Sequence, residues 1–218
     1  MTRNALLLWI ERALVAIGLV LAAWCAFVLI EAQRTQSQPL PVRAVQTLPG
    51  EEERPAPAPA AGTLLARLES PALDLSTVVL EGSDDRTLRR GAGHIEDTPL
   101  PGERGNVGIA GHRDTVFRPL RRAKAGDELT LTTPERVYQY RVARTMIVKP
   151  EDVYVLDPTN RPTLTLVTCY PFEFIGHAPK RFIVQAELVG ETPVADRAGG
   201  AERAGQAGAA GRAAEAKK

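Results

Sequence analysis

The sequence predicts an all-β domain of about eight short strands, a closed barrel or a sandwich with one or two short helices, behind a single N-terminal transmembrane helix. Three observations lead there. Residues 13–30 carry no charge; residues 62–190 divide into short runs of alternating apolar residues; and only two stretches within that region carry helix signals.

The uncharged run, ALVAIGLVLAAWCAFVLI, would form about 27 Å of helix at roughly 1.5 Å per residue, just enough to cross a bilayer core. It is longer than a signal-peptide apolar region, and no small-x-small cleavage site follows in LIEAQRTQSQ, so residues 1–31 are expected to be a retained anchor. Arg3, Arg12 and the terminal amine outweigh Arg34 on the far side, which places the N-terminus in the cytoplasm and the remainder outside. Residues 32–61 show no periodicity and end in EEERPAPAPAAG, where prolines fix φ and favour an extended, semi-rigid stalk.

Residues 62–190 are the folded domain. Strands are expected within TLLARLES, STVVLEG, GNVGIAGH, DELTLTT, VYQYRVARTMIVK, TLTLVTC and RFIVQAELV, separated by turn signals such as TTPER and LPGERGN. DDRTLRRG reads as a short helix with Asp84 or Asp85 as cap and Gly91 as stop, and FRPLRRAKAG as a turn or two of helix. Residues 191–218 are Ala, Gly, Arg, Glu and Lys with almost no large apolar residue, and are expected to be a disordered tail.

Composition excludes more than it assigns. Lys+Arg at 27 against Asp+Glu at 26 leaves no basic field for nucleic acid. The two cysteines, Cys25 in the apolar run and Cys169 far from it, predict neither a disulfide nor a zinc site, and the three histidines are scattered. Cys25 is expected to be a small hydrophobe in a lipid span.

Strand alternation assigns faces to the reactive side chains. In TLTLVTC, Leu164 and Leu166 share one face and Cys169 the other, with Thr163, Thr165 and Val167. In RFIVQAEL, Phe182, Val184, Ala186 and Leu188 form the apolar row and Arg181 lies opposite. In NVGIAGH, His112 shares its face with Gly108 and Ala110, which suggests a shallow floor beside an imidazole. A lone cysteine is usually a buried hydrophobe, a lone histidine a loop residue and a strand arginine a solvated charge. All three nevertheless fall on non-core faces at strand ends, and together they supply what acyl transfer needs: a thiol, an imidazole to activate it and a cation for the oxyanion.

These segments resemble a known family. TLTLVTCYPF resembles the T-L-x-T-C signature of sortases, GNVGIAGHRDT their histidine segment and APKRFIVQAEL their arginine-bearing last strand, in the order His, Cys, Arg. The likeness runs from about residue 62 to 188 and is closest to class D or the class of Gram-negative bacteria. It implies a closed eight-stranded barrel and a membrane-anchored cysteine transpeptidase that cleaves an LPxTG-like sorting motif. Cys169 would be the nucleophile, His112 the acid and base, and Arg181 the oxyanion and substrate ligand, with Thr168 as support. Residues 149–161, KPEDVYVLDPTNR, would be the specificity loop.

The implied partners are secreted proteins with a C-terminal sorting signal, an amine acceptor in a cell-wall precursor or another protein, and the membrane; no nucleic acid and no cofactor are implied. His94, in GAGHIEDTPLPG, is expected to be structural or groove-lining, and His177 is assigned no role. One departure is Ser70 before Pro71, where the family commonly has an apolar residue. Two rivals are weighed. An L,D-transpeptidase would place its arginine two residues after the cysteine, whereas Tyr170, Pro171 and Phe172 follow Cys169 here. A silent peptide-binding barrel would have no need to retain all three reactive groups.

Overall fold

The structure is a computed structural model that describes residues 3–40, 58–173 and 176–194. It comprises two compact units, residues 1–38 and 39–218. Most of the expected stalk and nearly all of the expected tail lie outside the described residues.

The first unit is one helix, α1 (Arg3–Gln36). It continues beyond residue 31 because Glu31, Ala32 and Gln33 are good helix formers and no proline interrupts before Pro39. The stretch from Trp9 to Gln36 is long and apolar enough to cross a membrane, with its large side chains exposed all round.

The second unit is a closed barrel of eight strands: β1 (Leu64–Ser70), β2 (Leu75–Glu81), β3 (Ala92–His94), β4 (Asn106–Ala110), β5 (Glu128–Thr132), β6 (Arg136–Val148), β7 (Thr163–Tyr170) and β8 (Lys180–Pro193). Around the barrel their order is β1-β2-β3-β4-β7-β8-β6-β5. β2–β3 and β4–β7 are parallel; the remaining ladders are antiparallel. Every strand expected from alternation is present. β3 was not among them, since three residues reading Ala-Gly-His carry no periodicity. β8 continues to Pro193, three residues into the expected tail, because its last residues pair with the start of β6 and Arg136 forms an ion pair with Glu191 at 2.7 Å.

The short helix α2 (Asp85–Arg90) forms as DDRTLRRG predicts, with Asp84 as its cap. The Asp84 carboxylate accepts from the Thr87 hydroxyl and from the N–H groups of Arg86 and Thr87, and these bonds hold its carboxyl below the usual range. Further 3-10 turns occupy Pro71–Leu73, Arg118–Arg122 and Val153–Leu156.

Side chains from every long strand fill the barrel, among them Leu68, Val79, Val107, Leu131, Tyr140, Leu164, Leu166 and Val184. Burial pushes the Tyr140 phenol well above its ordinary pKa. Ser70 suits its unusual place before Pro71: it is fully buried, and its hydroxyl donates to the Glu128 carbonyl at 2.6 Å, tying β1 to β5. A second apolar cluster lies outside the barrel. There Val155 and Leu156 of the β6–β7 loop pack on Val148, Ile183 and Val167.

Candidate active site

The register of three adjacent strands assembles the site. In the parallel β4–β7 ladder Asn106 pairs with Thr163 and Ala110 with Val167, and the same offset of 57 residues relates Gly111 to Thr168. Carried one residue further, it sets His112 level with Cys169. In the antiparallel β7–β8 ladder Cys169 pairs directly with Arg181. His112, Cys169 and Arg181 therefore form one transverse row, and directly opposite residues of an antiparallel pair have Cβ atoms about 4.5–5.5 Å apart. The twelve-residue spacing from Cys169 to Arg181 is the register of this hairpin.

All three side chains leave the barrel on its outer face. Leu164 and Leu166 point inward and are fully buried, while Cys169 and Arg181 are half-buried on the opposite side, as alternation predicts. A cavity of about 210 Å³ opens there, lined by His112, Arg113, Asp114, Cys169, Gly176, His177, Ala178 and Arg181. Arg181 Nη1 donates to the carbonyls of Ala178 and Lys180, which hold the guanidinium against the β7–β8 loop. Arg113 Nη2 reaches the same loop at the Gly176 carbonyl, 3.1 Å away. Sequence reasoning left Arg113 and His177 unassigned; their nearness to His112 and Arg181 in the chain was the available signal.

His112 is placed by its neighbours. The Gly111 N–H donates to the Val167 carbonyl, and the Thr168 hydroxyl donates to the Gly111 carbonyl at 2.7 Å. Thr168 is thus buried on the inner face, tied to the site through the residue before His112. Glycine is required at 111 by close approach, since a Cβ there would sit 2.6 Å from the ring of Phe117. On the inner side of the row, Tyr170, Phe172 and Phe182 pack in edge and stacked contacts, with centroids 5.3–6.4 Å apart. β7 ends at Tyr170, and Pro171, which has no N–H to donate, follows.

Along the strands from this row the outer face is covered. A Cβ on Gly108 would meet Leu156 and Thr98 at 3.0 Å and Ile95 at 3.2 Å, so the expected shallow floor is instead roofed by two loops at this point. The β6–β7 loop is pinned by a buried polar network. Asn106 Nδ2 donates to the carbonyls of Val155 and Asp157, Gln185 Nε2 donates to Val155 and to Thr165 Oγ1, and the Thr165 hydroxyl donates to Asn106 Oδ1 at 2.6 Å. A strand row carrying a thiol, an imidazole and a guanidinium at the mouth of a groove is suited to acyl transfer through a sulfur nucleophile.

Known proteins share this fold. A family model described as a sortase domain matches residues 68–189. The chain belongs to the sortase family. Sortase D of Bacillus subtilis (strain 168) is 32% identical over 189 residues, covering 81% of this chain and 96% of its own length. Among solved structures, the Clostridium perfringens sortase D5 transpeptidase superposes with a TM-score of 0.55 at 34% identity, covering 60% of this sortase and 82% of that chain. Sortase E1 from Streptomyces coelicolor, solved with a tripeptide in its active site, gives a TM-score of 0.57 at 30% identity, covering 62% and 93%. This sortase is accordingly a transpeptidase of the family, with the eight-stranded barrel and an N-terminal helix fit for anchoring.

Proposed function

We propose that this sortase joins secreted proteins bearing a C-terminal LPxTG-like sorting signal to an amine acceptor through a thioacyl intermediate on Cys169. The observation that supports it is the single row His112–Cys169–Arg181 at the cavity mouth. The Cys169 thiolate adds to the carbonyl carbon of the motif's threonine, and the carbonyl oxygen becomes an oxyanion that the Arg181 guanidinium stabilises. As the tetrahedral species collapses, the threonine C–N bond breaks and His112, as imidazolium, gives its proton to the leaving amine. In the second half the acceptor amine adds to the thioester, His112 takes the proton, and the C–S bond breaks to restore the thiolate.

The outward-facing domain would meet both partners outside the cytoplasmic membrane, with the N-terminus of α1 in the cytoplasm. Thr168 supports the row by fixing Gly111, which precedes His112.

The test uses the full chain in detergent micelles with a library of LPxTG-like peptides and an amine acceptor, followed by mass spectrometry. A thioacyl adduct on Cys169 and a transfer product are expected for at least one peptide, and both vanish in Cys169→Ala. Arg181→Lys keeps the charge but not the planar fork, so kcat should fall by about tenfold or more, approaching the roughly 10²–10³-fold typical of a lost oxyanion donor. Absence of any adduct across the library sinks the transpeptidation mechanism, and a wild-type rate in Arg181→Lys sinks the oxyanion role.

A further inference from the structure

The most deeply buried ionisable pair outside the catalytic row is His94 with Glu81. His94 is 1% exposed, and its Nδ1 lies 2.9 Å from Glu81 Oε2. Its Nε2 lies 3.0 Å from the Pro99 carbonyl oxygen, which can only accept, so Nε2 carries a proton. Both ring nitrogens are thus tied down, one to β2 and one to the loop after β3.

That loop is what roofs Gly108. The Thr98 hydroxyl donates to the Ile95 carbonyl at 2.7 Å, accepts from the Gly108 N–H at 3.0 Å and lies 3.1 Å from His94 Nε2. Ile95 N–H in turn donates to the Gly108 carbonyl at 3.0 Å. Glu96, the other acid beside His94, is engaged outward by the Ser83 N–H and hydroxyl, which leaves Glu81 as the partner of the ring. Burying a histidine and a glutamate removes both from water, so a pair used only as core filling could be replaced by apolar residues at little loss.

The position of the roof gives the pair a purpose. Gly108 precedes His112 by four residues on one strand face, about 13 Å at roughly 3.3 Å per residue. An extended peptide whose scissile carbonyl sits at Cys169, and which runs back along β4 and β7, reaches the level of Gly108 about four residues upstream.

We propose that Glu81 and His94 are positioning residues that clamp residues 95–99 over Gly108 and thereby set the affinity for the sorting peptide without touching the reacting atoms. The inference rests on the transpeptidase reading for its substrate but not for the clamp itself, and two measurements on the full chain separate them. The variants are Glu81→Gln, which keeps the shape and weakens the hold on the ring, and Thr98→Val, which keeps the methyl over Gly108 and removes the hydroxyl.

In amide hydrogen exchange, both variants should exchange at least tenfold faster at residues 95–98 and Gly108, while β6 and β8 keep wild-type protection. In steady-state transfer with the best peptide from the library above, KM for that peptide should rise about five- to twentyfold, with kcat and the acceptor KM within twofold. Wild-type exchange in the loop overturns the clamp. Faster exchange with unchanged KM overturns its role in the groove, and a parallel fall of kcat with lost protection throughout the barrel marks the pair as merely structural. If the wild-type chain transfers no peptide, the transpeptidase reading fails while loop exchange still decides on the clamp.

Discussion

Thr168 and Cys169 are adjacent in the chain and opposite in environment: the hydroxyl is buried in the barrel, and the sulfur stands half-buried at the cavity. The threonine therefore acts through backbone. Its bond to the Gly111 carbonyl and the Gly111–Val167 bond fix the end of β4 against β7, and with it the height of His112 relative to the thiol. Thr168→Val keeps the volume but leaves the Gly111 carbonyl without its hydroxyl donor, a loss of about 1–3 kcal/mol for a buried acceptor. The expected outcome is a lower urea midpoint together with a kcat loss larger than the change in peptide KM, because His112 and not the groove is displaced. Thr168→Ser, which restores the hydroxyl, should recover most of kcat. A kcat equal to wild type in Thr168→Val would show that His112 is held by other means.

At the scale of elements, the loop between β6 and β7 is a fixed wall. Asn106 from β4 and Gln185 from β8 give three donor hydrogens to the Val155 and Asp157 carbonyls, Thr165 from β7 donates to Asn106 Oδ1 beneath them, and Val155 and Leu156 fill an apolar cleft. Asn106→Ala removes two of those bonds and the acceptor of Thr165, so stability should fall by about 1–3 kcal/mol. Amide exchange in residues 149–161 should rise ahead of the barrel strands, and peptide KM should rise with it; unchanged protection in that loop would mean the apolar contacts alone hold it. Much of this arrangement was legible in the chain. Alternation of two faces in TLTLVTC and RFIVQAEL assigned Cys169 and Arg181 correctly, because Leu164, Leu166 and Val184 mark the core unmistakably. What was not legible is that the opposite face is also covered: Thr165 is fully buried and Gln185 nearly so, under a loop whose Val155 lies 30 residues before Gln185 in sequence. Periodicity reports which side chains leave the core and is silent on what later folds over them. The same limit hid β3 and the Glu81–His94 pair, which exist only because distant segments meet.

For the molecule as a whole, closure of the barrel and assembly of the His112–Cys169–Arg181 row are separate events in space. The row lies on β7, β8 and the segment just after β4, and β8 is joined to β6 by a ladder of twelve residue pairs. On the opposite side of the barrel β1 and β5 share only three pairs, Arg67–Thr132, Leu68–Leu131 and Glu69–Thr130. Ser70 extends that seam by a side-chain bond to the Glu128 carbonyl, and it does so from a fully buried position on the far side of the strand order from Cys169. Ser70→Ala should therefore cost about 1–2 kcal/mol, or roughly 3–6 °C in Tm per kcal/mol for a domain of this size, with kcat and both KM values unchanged at 25 °C. Native-state exchange should show β1 and β5 opening first, while the β6–β8–β7 sheet retains its protection. If catalytic constants fell in step with Tm, the seam and the row would be one cooperative unit. The short ladder argues for the first outcome, since three pairs offer little resistance to local opening and none of them is hydrogen-bonded into the ladders β4–β7 and β7–β8 beside the thiol and the guanidinium.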